Sequence, residues 1–261
     1  ICKSLKEKKI DYEILKNVPK NKIFDFAVVA SKSIERINIC KKLIKNNKIK
    51  FLFLEKFLFN SLREYNIFKS LQSKFGIKTY VNIWAKIFLK RVNLKKPKKK
   101  FICDVILPNG KVLTNIIHFF EIFRLLTNWN FKLDLTKFNI KKINNHYHDG
   151  YGIIKFISLK GSEMVIRSKR MRNNINIIYR SDKIKVKIFI SKGKIYINKK
   201  SKKIIKKFPL ASIETKLFFD SLMKKNKKHQ IFFPRYSVVE KSSKTIINSF
   251  YKKFKTKVRI T

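Results

Sequence analysis

The sequence predicts an α/β fold: an incomplete doubly wound parallel sheet, followed by an α+β domain with a large, mostly antiparallel open sheet. Three observations predict it. Residues 25–82 alternate short apolar strands with amphipathic helices, the pattern of parallel strands joined by helical crossovers. Residues 152–198 carry short strands rich in β-branched and aromatic residues, as consecutive hairpins do. The pattern changes after a lysine-rich connection, which predicts domains at 1–88 and 89–261.

The first domain begins with buried strands. Residues 26–30 form an apolar run too short for a helix, which is typical of a strand buried on both faces. Residues 51–54 are a second such run, and residues 78–82 a third strand. The pair Glu55-Lys56 follows the second strand, and ligands bind at the carboxyl ends of strands in sheets of this kind.

Two helices are predicted between these strands. Ser33 can cap the first, whose apolar residues share one face: Ile37, Cys40, Leu43 and Ile44. Ser61 and Glu64 form a capping box for the second, and Gly76 can supply its left-handed C-terminal cap. The second helix is expected to turn one set of residues inward: Leu62, Tyr65, Phe68, Leu71 and Phe75.

The second domain mixes strands with two helices. Short strands are predicted at residues 101–107, 152–159, 163–168, 175–180, 184–190 and 194–198. A helix over 115–126 separates the first of them from the rest. Ser237 and Glu240 form another capping box, which predicts the start of a C-terminal helix. An open sheet with one uncovered face often pairs with a second copy, so a homo-oligomer through that face is expected.

The net charge of +48 comes from 64 Lys and Arg against 16 Asp and Glu. Such a charge is typical of proteins that bind nucleic acid or a membrane surface. The excess is nearly all lysine, however, whereas recognition of bases and phosphates favours the arginine fork. The lysines are spread along the chain, and the enriched residues are those with A+T-rich codons. We therefore predict no specific nucleic-acid partner and only non-specific binding to polyanions.

Cysteine usage and hydropathy restrict the protein class further. Cys2, Cys40 and Cys103 are scattered and odd in number, which favours a reducing cytoplasm over a disulfide framework or a zinc site. Charged residues interrupt every apolar stretch before the roughly 18 residues that a membrane span requires. The sequence thus predicts a cytoplasmic protein with no membrane partner.

Several segments resemble the glucose-fructose oxidoreductase / inositol dehydrogenase / MocA (Gfo/Idh/MocA) family of NAD(P)-dependent oxidoreductases. Residues 25–31 and 51–57 are similar to its fourth and fifth strands, the fifth ending in Glu-Lys-Pro; Phe57 replaces the proline here, as in a divergent branch. Residues 115–127 are similar to the family's histidine-bearing helix, and residues 208–210 precede a further matching helix. The resemblance implies a Rossmann-type first domain and a second domain for substrate binding and oligomerisation.

The family also carries a Gly-x-Gly-x-x-Gly fingerprint on its first strand–helix turn, which holds the cofactor pyrophosphate. This chain begins with Ile1 and contains no such motif. We expect a fragment whose first strand, first helix and second strand lie upstream, and which is inactive without them. The residues that distinguish NAD from NADP would lie there too, so either cofactor remains open.

The resemblance implies a hydride transfer to or from a secondary hydroxyl or keto group of a sugar or sugar-like substrate, either free or nucleotide-linked. Lys56 would stabilise the developing oxyanion, and His118 would exchange the proton. Many members carry an aspartate four residues before the histidine; here that position is Thr114, and Glu121 could instead orient the imidazole. The residues expected near the cofactor are Ala30, Ser31, Ser33, Glu55, Lys56 and Asn82, and those near the substrate are Lys86 and Asn115.

Structural alternatives stay open for these side chains. Lys56 can be a solvated rim cation, and Lys86 can belong to a solvated helix face. His118 lies among apolar residues and can equally be a satisfied core histidine. His146 and His148, with Asp149, lack a third ligand at a recognisable spacing, so no metal site is predicted. The alternative function is a non-enzymatic basic protein that binds nucleic acid, or an inactive relative of the family.

Overall fold

The described residues form two sheets, and the strands of the smaller one are followed by residues expected near the cofactor. The computed structural model describes residues 17–108, 112–143, 147–169, 175–182, 184–189, 194–198, 201–204, 211–223, 233–256 and 258–260. Its first three strands are β1 (Ile23–Val29), β2 (Lys48–Leu54) and β3 (Lys78–Val81). They lie in the order β1-β2-β3, and both pairs are parallel. The parallel half-sheet predicted from the sequence is confirmed.

Burial within this sheet differs between strands. In β2, the central strand, residues 51–54 are all buried, as their continuous apolar run predicts. In β1 the prediction of burial on both faces is wrong, because Val28 is 56% exposed. Among the described residues β1 pairs with β2 alone and forms the edge of the sheet, so its outer side lacks the neighbour that a central strand has.

Helices α1 (Ser33–Asn46) and α2 (Leu62–Lys74) connect these strands. The predicted apolar face of α1 is buried, as are Tyr65, Phe68 and Leu71 of α2. The predicted inward positions at the two ends of the second helix are wrong, since Leu62 is 39% exposed and Phe75 is 41% exposed. A helix end projects beyond its packing partner, so its apolar side chains need not be covered.

The helix caps give one correction. Ser61 accepts a hydrogen bond from the backbone N–H of Glu64, and Gly76 adopts the left-handed conformation with φ +62°, so both predicted caps of α2 are confirmed. The cap predicted at Ser33 is wrong: α1 begins at Ser33 itself, and Lys32 occupies the N-cap position. The Ser33 hydroxyl instead bonds to Ile260, which is too distant in sequence for a local pattern to indicate.

In the part of the chain that the structure describes, the larger sheet has nine strands. They are β4 (Phe101–Pro108), β5 (Phe131–Asp134), β6 (Phe138–Lys142), β7 (His148–Ser158), β8 (Glu163–Lys169), β9 (Asn176–Ser181), β10 (Ile184–Phe189), β11 (Lys194–Ile197) and β12 (Ser201–Ile204). The order is β12-β11-β10-β9-β4-β8-β7-β5, with β6 also on β7. Only the β4–β8 pair among these is parallel, so the mostly antiparallel sheet is confirmed, although β5, β6 and β12 escaped prediction.

Two helices lie between the small sheet and the large one. Helix α3 (Ala85–Arg91) follows β3, and α4 (Val112–Thr127) extends the predicted helix by three residues at its start and one at its end. Helix α4 packs on the large sheet through aromatic contacts. Phe123 stacks on Phe156 with centroids 5.8 Å apart, and Phe120 meets the same ring edge-on. The helix is thereby fixed on one sheet while its N-terminal turn faces the other.

The C-terminal part of the chain returns to the small sheet. Helix α5 (Ala211–Met223) places Phe218 against Phe53, and Val81 donates a backbone hydrogen bond to Pro234 at 3.0 Å. Helix α6 (Tyr236–Phe254) follows. The capping box predicted at Ser237 is wrong, because the helix begins at Tyr236, with Arg235 at the N-cap position, and has no side-chain cap. The family-like residues 208–210 lie outside the described part of the chain.

Within the described part of the chain, no helix combines the length and apolar character that crossing a membrane requires.

Candidate functional site

Lys56 lies just beyond the carboxyl end of β2 and reaches across to α4. Its ammonium donates a hydrogen bond of 2.5 Å to the backbone carbonyl of Thr114. The peptide bond between Lys56 and Phe57 is cis. Burial lowers the pKa of Lys56; the neighbouring Glu55 carboxylate raises it and Arg36 lowers it further. An ammonium has three donors, so one bond to Thr114 leaves capacity to bind another acceptor.

Arg36, on the buried face of α1, holds the strand ends in place. Its guanidinium donates to the carbonyls of Glu55, at 2.8 Å, and Leu58, at 3.0 Å, and also to Phe57. A further bond joins it to the carbonyl of Ser31, after β1. One buried cation therefore fixes the loop that carries Lys56 relative to the end of the neighbouring strand, which suits the planar, multidentate guanidinium better than any other side chain.

The Glu55 carboxylate links the ends of β2 and β3. It accepts a hydrogen bond of 2.7 Å from the side-chain amide of Asn82. The backbone repeats this connection, since Asn82 donates its N–H to Leu54 at 2.9 Å. Glu55 and Asn82, both expected near the cofactor, thus lie together at the carboxyl edge of the sheet.

His118 lies on α4, one turn after Thr114. In an α-helix the carbonyl of residue 114 also accepts from the backbone N–H of residue 118, so Lys56 binds the turn from which His118 projects. The imidazole stacks on Trp84 with ring centroids 4.5 Å apart and an interplanar angle of 29°. Burial lowers the pKa of His118 well below its ordinary value, and the positive charge of Lys56 lowers it further. At neutral pH the imidazole is therefore uncharged.

The Nδ1 atom of His118 is buried and has no hydrogen-bond partner among the described residues. The expectation that Glu121 orients this imidazole is wrong. Its carboxylate accepts two hydrogen bonds from Arg124, at 2.8 and 2.9 Å, and one from the hydroxyl of Ser242. Glu121 thus ties α4 to α6 through Oε1, while Arg124 of α4 itself occupies Oε2.

The residues after β1 differ in accessibility. Ala30 is exposed, while the Ser31 hydroxyl is buried without a hydrogen-bond partner in the described part of the chain. Ser33 is buried, and its hydroxyl donates to the Ile260 carbonyl and accepts from the Asn60 amide at 2.8 Å. Ser31 therefore has bonding capacity for a ligand, whereas Ser33 already bonds to protein groups on two sides.

The two residues expected near the substrate lie on different helices. Asn115 is in the first turns of α4, and its amide donates to the Thr114 hydroxyl at 3.3 Å. Lys86 is exposed on α3, but its ammonium is partly desolvated, which lowers its pKa; Arg124 lowers that pKa further and Glu121 raises it. The charged groups that act on the pKa of Lys86 are thus Arg124 and Glu121, at the contact between α4 and α6, and not Glu55.

His148, which with His146 was considered as a metal ligand, binds the C-terminal segment of the chain. His148 Nδ1 accepts the backbone N–H of Arg259 at 3.1 Å, and the His148 N–H donates to the Arg259 carbonyl at 2.8 Å. This pair attaches the C-terminal segment to the start of β7. His146 lies outside the described residues. Within the described part of the chain, no three His, Cys, Asp or Glu side chains form a group that could hold a metal ion.

The side chains at this edge fit one part of a dinucleotide cofactor. Ser31 Oγ and His118 Nδ1, buried and without a partner among the described residues, and the spare donors of Lys56 are groups of the kind that bind sugar hydroxyls and a reacting carbonyl or hydroxyl. They do not form a pyrophosphate cradle, and the 261 residues contain no Gly-x-Gly-x-x-Gly.

Comparisons with known proteins establish the fold. No protein-family profile and no curated protein matches the sequence. Among solved structures, the chain is similar to the dehydrogenase MviM from Clostridium difficile, with a TM-score of 0.60, 11% identity and coverage of 86% of this chain and 79% of that one. It is also similar to UDP-N-acetylglucosamine 3-dehydrogenase GnnA from Acidithiobacillus ferrooxidans, with a TM-score of 0.62, 9% identity and coverage of 85% and 76%.

A third similar structure is the super-repressor mutant of Gal80p from Saccharomyces cerevisiae, with a TM-score of 0.61, 14% identity and coverage of 87% and 78%. At these identities the likeness shows the fold alone. The chain has the fold of these dehydrogenases, the α/β fold that its sequence segments indicated.

Arg36 and Trp84 contact the candidate site although the sequence predicted a role there for neither. A charged residue within a helix is ordinarily solvated, and the carbonyls that bind Arg36 come from residues 55–58, on another element. One signal was available: at 3.6 residues per turn Arg36 projects between Cys40 and Leu43, on the predicted apolar face. For Trp84 the contact with His118 depends on how α3 meets α4, which no local pattern encodes.

Proposed function

We propose that the chain belongs to an NAD(P)-dependent oxidoreductase of the Gfo/Idh/MocA family, which moves hydride between the nicotinamide and a secondary hydroxyl or keto group of a sugar-like substrate. One observation carries the proposal: the Lys56 ammonium, from the end of a parallel strand, is bonded to the helical turn that presents His118. A cation that follows a strand of the small sheet and an imidazole on the helix packed against the large sheet thereby lie close enough for the positive charge to lower the pKa of the imidazole.

Lys56 would act as the electrophile. The nicotinamide, when bound, supplies or accepts the hydride. Lys56 donates a hydrogen bond to the substrate oxygen and stabilises its negative charge as that charge develops. Its burial supports the role, because a charge removed from water interacts more strongly with a nearby oxyanion than a solvated one does.

His118 would exchange the proton. Because burial and Lys56 keep its imidazole neutral, it can accept a proton from a hydroxyl as general base. Its Nδ1, which no described residue binds, is the atom we assign to this transfer. In the reductive direction the same atom returns the proton to the substrate oxygen. The upstream aspartate of many family members is Thr114 here, and its backbone carbonyl binds Lys56 instead.

The remaining side chains would position the ligands. Glu55 and Asn82, joined by their 2.7 Å hydrogen bond, and Ala30 and Ser31 would line the nicotinamide and its ribose. Asn115, at the start of α4, would contact the substrate. The substrate class rests on the likeness to a UDP-N-acetylglucosamine dehydrogenase, which supports a nucleotide-linked or free sugar.

The test is an assay of the intact protein. Oxidation of NADH and NADPH, and reduction of NAD and NADP, are followed with a panel of free and nucleotide-linked sugars and their keto forms. We expect turnover with one of them, and a large loss of kcat/KM in Lys56→Ala and His118→Ala. Unchanged kcat/KM in both variants with an active substrate would remove the assigned roles.

A second candidate function is non-enzymatic. The likeness to a Gal80p super-repressor and the charge of +48 favour a regulatory or nucleic-acid-binding protein with this fold. If the protein has this second function, it should bind one nucleic-acid sequence in preference to others, with an affinity that falls steeply as the salt concentration rises. Equal, weak binding to every polyanion would leave only the charge as an explanation.

Self-association is part of the proposal. The face of the large sheet opposite α4 carries Ile102, which is 48% exposed, on the central strand β4. Pairing of two such faces would cover it. Sedimentation of the wild type and of Ile102→Lys tests this: the wild type is expected to form an oligomer that the variant weakens.

A further inference from the structure

A cavity of about 640 Å³ lies at the C-terminal end of α4, the end remote from Thr114. Helix α4 has 16 residues and is therefore about 24 Å long, so this cavity is separate from the candidate active site. We call it the lysine pocket. Its charged lining residues are Lys96, Lys98, Lys99, Lys100, Lys160 and Asp182. Five cations and one carboxylate give it a formal charge of +4.

The floor of the lysine pocket is held by hydrogen bonds that do not involve the lysines. Phe101 donates its N–H to the Ser162 hydroxyl at 3.2 Å, and Ser162 donates its N–H to the Ser158 hydroxyl at 2.9 Å. Leu159 donates its N–H to the Asn130 carbonyl at 3.0 Å. Three segments are thereby joined: the connection into β4, the turn between β7 and β8, and the residues after α4. The concave shape therefore does not depend on the cations that line it.

Most of these cations lack a carboxylate partner. Lys99 pairs with Asp182 at 2.6 Å, and this contact raises the pKa of Lys99. Within the described part of the chain, no carboxylate forms a salt bridge with Lys96, Lys98, Lys100 or Lys160. Like charges held around one concavity repel each other, and an anion bound there would relieve that repulsion.

Gly161 allows one lysine to approach the backbone. A Cβ atom at this position would lie 3.1 Å from Lys100 Cε and 3.3 Å from its Nζ. Gly161 also has φ +75°, a conformation that other residues adopt with strain. The Lys100 side chain, from the connection into β4, thus packs against the backbone of the turn that also carries Lys160.

We propose that the lysine pocket binds a compact polyphosphate anion. Its volume is that of a small-molecule site, and lysine binds phosphate as a point charge. A nucleic acid is disfavoured, because its recognition uses arginine forks and exposed aromatic faces for stacking. Among the described residues no arginine lines the pocket, and the one aromatic residue that does, Phe101, is 2% exposed.

Lysine is abundant in this chain, so the decisive experiment compares lysines at the pocket with lysines elsewhere. Binding of inorganic triphosphate to the intact protein is measured by titration calorimetry. The pocket variant combines Lys98→Ala, Lys100→Ala and Lys160→Ala. The control variant removes the same charge from the outer faces of α1 and α2, through Lys42→Ala, Lys45→Ala and Lys69→Ala.

We expect saturable binding that the pocket variant weakens about tenfold or more and the control variant less than about twofold, since only nearby charges act strongly across solvent. Equal weakening in both variants, or no saturable binding by the wild type, overturns the proposal. If the pocket variant does not unfold cooperatively, and so is not properly folded, amide hydrogen exchange is measured on the wild type with and without triphosphate instead. Triphosphate should then slow exchange at Phe101, Leu159 and Ser162; unchanged exchange there also overturns the proposal.

Discussion

The ammonium of Lys56 donates a hydrogen bond to the backbone carbonyl of Thr114, 2.5 Å away, and so joins the end of a parallel strand to the helix that carries His118. The family resemblance implied a carboxylate at position 114 to assist the histidine. The chain has a threonine there, and the main chain of that residue binds the lysine. The two proposed catalytic residues are therefore linked through one helical turn rather than through an acidic side chain.

The environment of His118 predicts how stability depends on pH. Its pKa is lowered in the folded protein, so the unfolded chain binds the proton more readily. The contribution of this residue to stability is full above the unfolded pKa of about 6.5 and is lost as the pH falls from there towards the folded pKa. We expect a slope of up to about 1.4 kcal/mol per pH unit in the free energy of unfolding.

Urea unfolding of the wild type and of His118→Gln between neutral and mildly acidic pH measures this contribution as a difference. The comparison is needed because burial also lowers the pKa of His148. Parallel pH profiles for the two proteins would show that His118 is protonated as easily in the folded state as in the unfolded chain.

Glu121 is expected to stabilise the fold without controlling the imidazole. Its carboxylate bonds to Arg124 and Ser242, so Glu121→Gln should lower the free energy of unfolding by about 1–3 kcal/mol, the cost of weakening a buried charged hydrogen bond. The pH at which kcat/KM changes should stay the same. If that pH shifts while the loss of stability is small, Glu121 acts on His118 after all.

Arg36 should be among the most sensitive positions for stability. Removing its guanidinium leaves the carbonyls after β1 and β2 without their donor. Arg36→Met is expected to cost about 3–5 kcal/mol in urea unfolding, as loss of a buried charged partner does. Arg63→Met, at an exposed position of α2, is the matched control and should change stability by less than about 0.5 kcal/mol. Equal effects would mean that the carbonyls find other donors.

The two capping-box sequences should behave differently. Ser61 caps α2 with its side chain, whereas α6 begins before Ser237 and has no side-chain cap. Ser61→Ala is expected to lower the free energy of unfolding by about 1 kcal/mol, and Ser237→Ala to leave it nearly unchanged. The same urea titration measures both, and a comparable loss in each would place the start of α6 at Ser237.

The sequence predicted those helices and strands whose apolar periodicity is local. The apolar face of α1 and the buried run of β2 could be recognised because helix and strand periodicity are written in consecutive residues. Strands β5 and β6 escaped because they are short and owe their conformation to pairing with β7. The end of β2 could be identified as the candidate site from Glu55-Lys56. The bonds of Arg36 and Lys56 could not, because their partners lie on other elements.

The most direct measurement of the central claim is the rate of hydride transfer in a single turnover of the intact protein, with Lys56→Met compared with the wild type. Lys69→Met, an exposed lysine of α2, is the control for loss of charge. We predict that Lys56→Met lowers the rate about 10²–10³-fold, as loss of an oxyanion-stabilising donor does, and that Lys69→Met leaves it unchanged. A Lys56→Met rate equal to that of the wild type would contradict the role of this lysine at the reacting oxygen.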